Sequence, residues 1–169
     1  KSVMTYDHSQ NKTSSYVTSD LNGVTLNFIE PFNKISDDKK NFSFRYQYYP
    51  HAPYPMSVNL EEHELKFKND KGFIYANISS PIARGFLKIP RDPDSTHTTT
   101  GSFEFIDTRF LRSDGIGVST SKIDIKSKHV KTSTAVLDDV HIILSRQDDY
   151  ISIDNLSFNN LHLEMQSSG

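Results

Sequence analysis

The chain has no cysteine and no tryptophan, and only seven glycines and seven prolines in 169 residues. Without cysteine there can be no disulfide staple, cysteine-ligated zinc, iron–sulfur cluster or thiol nucleophile. No stretch approaches the roughly 18 consecutive apolar residues of a membrane-spanning helix. Charge of one sign is not in excess either. Nineteen basic and 21 acidic side chains leave a net charge of −2, without the basic surplus of an electrostatic nucleic-acid binder. The sequence opens at Lys1 without methionine or signal peptide and stops abruptly at Gly169. A processed or truncated piece of a longer protein is therefore expected.

Aromatic and hydroxyl side chains are plentiful, with eleven Phe and eight Tyr. Such residues fit a pleated, half-buried surface better than a helix. Apolar residues recur with period two over 24–29, 42–48, 65–67 and 73–78, which predicts strands. Asn69-Asp70-Lys71-Gly72 has the chemistry of a hairpin turn between the last two. Residues 59–65 make the best helical candidate, but their alternating flanks favour strand. Three prolines between 50 and 55 mark an irregular loop, and 90–101 reads as a polar loop. Residues 1–20 are polar and aperiodic, and read as a lead-in.

The second half repeats. Shifted by 21 residues, Ile151, Leu156, Phe158, Leu161, Leu163 and Met165 fall on Val130, Ala135, Leu137, Val140, Ile142 and Leu144. A further step of 19 brings Leu111, Ile116, Val118, Ile123 and Ile125 into the same frame. Units of about 20 residues that cannot bury their own apolar rows gain a core by stacking. The expected class is therefore all-β: a β-solenoid over 100–169, continuing beyond the fragment, preceded by an N-terminal β region or cap over 20–90. An antiparallel sandwich is the alternative. In the solenoid, His141 and His162 stack about 5 Å apart on neighbouring coils.

The phrases Ile153-Asp154-Asn155 and Gln166-Ser167-Ser168-Gly169, with the strands around them, resemble a bacterial family. This is the adhesin-type β-strand-repeat domain of unknown function, common in low-GC Gram-positive bacteria. The resemblance covers 100–169 well and 20–90 weakly. It implies a β-helix-like repeat, a cell-envelope setting and no catalytic residues. The Pro/Tyr loop at 49–55 departs from the family pattern.

Chemistry is sparse. The seven histidines form no His-x-x-x-His or Glu-x-x-His motif. The acidic pairs at 37–38, 138–139 and 148–149 lack a calcium-loop pattern. Adjacent strand residues also point to opposite faces, which counts against paired-carboxylate hydrolysis. Two candidate partner surfaces remain. One is aromatic, with Tyr46, Tyr48, Tyr49, His51 and Tyr54 on or beside the proline-stiffened loop. The other is basic, with Lys122, Lys126 and Lys128 on one strand face together with Asp124. No metal or cofactor is expected. The expected function is a non-enzymatic, adhesin-like binding or scaffold domain, extracellular or attached to a bacterial envelope. Its partner would be a protein, a glycan or an anionic envelope polymer rather than nucleic acid, with an end-to-end homodimer as a further association. A small carbohydrate-active β-helix enzyme and a jelly-roll carbohydrate-binding module are the alternatives.

Overall fold

The computed structural model describes residues 1–7, 12–26, 33–49, 54–92, 96–110, 122–147 and 150–163. Among these residues the chain is all-β, apart from one 3-10 turn at Thr108–Phe110. The strands are β1 (Ser2–Asp7), β2 (Lys12–Ser19), β3 (Phe42–Tyr48), β4 (Met56–Leu60), β5 (His63–Asp70) and β6 (Phe73–Ser79). They continue as β7 (Ala83–Pro90), β8 (Thr99–Asp107), β9 (Lys122–Lys131), β10 (Ala135–Gln147), β11 (Tyr150–Ser157) and β12 (Asn160–Leu163). They hydrogen-bond in sequence order from β1 to β11, with β12 on β10. The pair β8–β9 is parallel.

The chain divides into two compact units: residues 1–68 with 76–81, and residues 69–75 with 82–169. In the first unit the registers build two unlike faces. Val17, Phe44, Val58 and Leu65 line up across four strands on one face. Tyr16, Arg45, Ser57 and Lys66 line up on the other. The alternation seen in residues 42–48 is thus realised as an apolar and a polar face. Leu60 and His63 are buried where β4 turns into β5. Glu61 and Glu62 form that two-residue connection, and Glu61 takes a left-handed φ of 53°. Lys34 is also buried, and its ammonium donates to the carbonyls of Val24 (2.7 Å) and Ile35 (2.8 Å).

The second unit has the same two-faced design. One apolar row runs Leu87, Gly101, Ile125, Ile142 and Leu156 across β7 to β11. Gly101 is required by close approach. A Cβ there would lie 2.5 Å from Cδ1 of Ile125 and 2.8 Å from Cδ2 of Leu87. A Cβ at Gly85, beside the register shift of β7, would lie 2.5 Å from the Ser102 carbonyl oxygen and 2.6 Å from Cδ1 of Phe103. In the hairpin tip, Lys71 and Gly72 both have positive φ, 46° and 81°, as the turn sequence predicts.

Two sequence-based expectations are corrected. The parallel pairing of residues 21 apart that a solenoid needs is absent among the described residues. Ile142 instead meets Ile125 and Leu156 in antiparallel ladders. Nor do the two histidines stack: His141 pairs with Ser157 and His162 with Val136. An alternating apolar strand satisfies an antiparallel neighbour as well as a parallel one, so the repeat did not fix direction. Second, the presumed lead-in forms β1 and β2. Its hydroxyl-rich residues pair through the backbone and need no deep core. Of the strand expected over 24–29, Leu26 forms a bridge with Lys34 and residues 27–29 lie outside the described residues.

Candidate functional site

The sequence marked Lys122, Lys126 and Lys128, all on β9. Alternation places them on one face, and all three are exposed. The register sets His141 beside Lys126 and Ser145 beside Lys122. A concavity of about 230 Å3 is lined by Lys126, Lys128, Ser102, Asp139 and His141, among others. The sheet therefore gathers two of the three lysines and adds groups that sequence reasoning had not joined to them.

This surface is mixed in charge. Asp124 lies 2.9 Å from Nε2 of His141. On the opposite face of the same strand pair, Asp138 lies 2.8 Å from Nδ1 of His129. Asp154 accepts hydrogen bonds from the Ser145 hydroxyl (2.7 Å) and the Ser152 hydroxyl (3.0 Å). These bonds, with the nearby Lys122 charge, hold the Asp154 carboxyl below the usual carboxylate range. Asp124 and Asp154 thus offset the lysines locally, and the strip is a poor match for a uniformly anionic polymer. No group of three or more metal-ligating side chains occurs among the described residues.

The aromatic candidates do not form one platform. Tyr46 and Tyr48 belong to β3, where Tyr46 is half-buried on the apolar face and Tyr48 is 60% exposed. Tyr49 follows the strand, with the Lys12 ammonium 5.4 Å from its ring centre. Tyr54 is half-buried, and His51 lies outside the described residues.

Sequence reasoning missed two surfaces. The first is a concavity of about 630 Å3 in the first unit, with Tyr16, Asp20, Asn41, Ser43, Asn59 and Glu61 in its lining. The signal available was Ser14-x-Tyr16-x-Thr18, an alternating polar row with one aromatic inside the presumed lead-in. The second is on β11. Ile151, Ile153 and Leu156 face Arg146, Leu144 and Ile142, so all three occupy one face. They do so because Asp154 is an extra residue at the register shift opposite Ile143 and Leu144. The three are 58%, 62% and 52% exposed.

One further group shapes the end of β8. Asp107 is buried and receives Nε (2.9 Å) and Nη2 (2.6 Å) of Arg109. That hydrogen bonding holds the Asp107 carboxyl below its ordinary range. Thr108 then donates to the Lys131 carbonyl at 3.0 Å, tying this corner to the end of β9.

No family model, curated protein or solved structure matches the chain.

Proposed function

We propose that the chain is a non-enzymatic, adhesin-like binding or scaffold domain working at a bacterial cell surface or envelope. The observation that carries this reading is the β11 row. Ile151, Ile153 and Leu156 lie exposed on one face of the last strand in the sheet order. They present on the order of 300 Å2 of apolar surface, within the range of the largest patch on a typical monomer, which is often functional. β11 itself carries one charged residue, Asp154, and no lysine or proline. Natural sheet edges usually use such residues to discourage association. An edge without them suits pairing with another chain, including a second copy. The reading does not need a β-solenoid, because an open antiparallel sheet offers the same edge.

The test is saturable binding of fluorescently labelled protein to Gram-positive cell envelopes, with sedimentation velocity alongside to read self-association. The wild type is expected to bind or to self-associate. The double variant Ile153→Lys with Leu156→Lys is expected to lose about tenfold or more in affinity, since a tenfold loss needs only about 1.4 kcal/mol. Its circular dichroism should be unchanged. Equal behaviour of both proteins, or no association by either, refutes the reading.

A further inference from the structure

We propose that the concavity of the first unit binds a neutral pyranose of a glycan, an assignment that deepens the binding-domain reading and rests on it. Its volume, about 630 Å3, lies within the roughly 300–1,000 Å3 usual for ligand sites. Its composition suits a sugar site, with the exposed ring of Tyr16 and the half-buried ring of Phe42 beside several oriented polar groups.

The exposed aromatic member is Tyr16, 39% accessible on the polar face. The Arg45 guanidinium stands cross-strand from it, 5.7 Å from the ring centre. A ring braced by a cation on one side loses little freedom when a ligand meets its other face. A pyranose supplies the matching surface, a patch of C–H groups ringed by hydroxyls.

The polar members are fixed before any ligand arrives. The Asn59 amide donates to the Ser43 hydroxyl at 3.0 Å. The Glu61 carboxylate accepts from both the backbone N–H and the side-chain amide of Asn41. Asp20 accepts from the Asn22 N–H at 3.1 Å. An amide has two donors and an accepting oxygen, and a carboxylate has about four acceptor positions. Each group therefore keeps capacity for sugar hydroxyls, which both donate and accept. Glu61 and Leu21, which follows Asp20, hold left-handed φ values of 53° and 51°. The chain thus turns at Glu61 itself and directly after Asp20, in conformations that glycine would adopt more easily.

Other ligand classes fit less well. Against phosphate or another anion, the two carboxylates of Asp20 and Glu61 outnumber the one lining lysine, Lys1. A divalent cation wants six or more oxygens, while these carboxylates are already engaged by amide donors. An apolar segment would bury asparagine and serine groups without partners.

The test is a heteronuclear NMR titration with the methyl glycosides of glucose, galactose, mannose and N-acetylglucosamine, and with inorganic phosphate as the control anion. At least one glycoside is expected to give saturable shifts confined to amides near residues 16–20, 41–43 and 59–61, with phosphate giving none. Affinity should be millimolar, roughly −4 kcal/mol. Tyr16→Ala and Asn59→Ala should each weaken binding about tenfold, and Tyr16→Phe should stay within about threefold because the ring remains. If Tyr16→Ala does not fold, Asn59→Ala alone carries the test. No saturable shift at tens of millimolar of any glycoside, binding as tight as wild type by both Asn59→Ala and Tyr16→Ala, or a response to phosphate alone overturns the assignment. The Ile153→Lys, Leu156→Lys protein separates the two readings. Loss of its envelope association with its sugar response intact supports both. Envelope association by the wild type without any sugar response overturns the pyranose site alone.

Discussion

Gly101 is the sharpest place to test the packing of the second unit. Replacing it with alanine puts a methyl group 2.5 Å from Cδ1 of Ile125, 2.8 Å from Cδ2 of Leu87 and 2.9 Å from Cε2 of Phe103. All three atoms are side-chain ends, so they can swing away rather than force the backbone. Overpacking of this kind costs about 1–3 kcal/mol. Loss of unfolded-chain freedom on replacing glycine returns about 0.4–1 kcal/mol. The net expectation is a destabilisation of about 0.5–2 kcal/mol, or a fall in Tm of roughly 1–8 °C for a chain of this length. A second variant identifies the cause. Ile125→Val deletes Cδ1, the nearest atom, at its own cost of about 0.5–1.5 kcal/mol. In that background Gly101→Ala should cost about 0.5–1 kcal/mol less, because the two sites touch and couple. Urea unfolding of the four proteins, followed by circular dichroism, closes the cycle. A neutral or stabilising Gly101→Ala, or strict additivity with Ile125→Val, would refute the packing row across β7, β8 and β9.

Two pH effects follow from the titratable groups. The Asp107 carboxyl sits below its ordinary pKa of 3.8, chiefly because Arg109 donates to it. Its stabilisation is complete above that unfolded value and is lost as pH falls through the lower folded value. Asp107→Asn should therefore cost about 1–3 kcal/mol near neutrality and much less in strong acid; urea midpoints compared across the acid range check it, and a pH-independent difference would count against the ion pair. The His63 imidazole is held below its ordinary 6.5, chiefly by burial, with Glu62 opposing and Lys40 reinforcing. Here the unfolded state takes up the proton first. Stability should be full above about 6.5 and decline as pH drops toward the folded value. His63→Gln should flatten that part of the profile, which unfolding curves between neutral and mildly acidic pH would reveal.

Much of the local structure was legible in the sequence. The alternation of residues 42–48 defines β3 to the residue, and Asn69-Asp70-Lys71-Gly72 supplies the turn from β5 to β6. Residues 59–65, helical at first sight, divide into the end of β4, a two-residue turn and the start of β5. Of the partner surfaces, the shared face of Lys122, Lys126 and Lys128 was readable because a strand fixes alternation within itself. Their aspartate partners were only partly readable. Asp124 is on the same strand, but its bond to His141 depends on pairing with β10.

The sequence by itself determined the all-β class, the absence of thiol chemistry, several strand positions and the turn chemistry between them. All of these rest on composition or on interactions between near neighbours in the chain. Tertiary structure alone decided the direction of pairing, the use of residues 1–20 as β1 and β2, and both surfaces proposed for binding. Tyr16, Asn41, Asn59 and Glu61 become one concavity only when β2, β3 and β4 lie side by side. Leu156 joins Ile151 and Ile153 only because Asp154 bulges from the ladder with β10. The physical reason is the same in each case. An alternating strand states which residues share a face, but the neighbour that completes the face is chosen by backbone pairing across long stretches of chain.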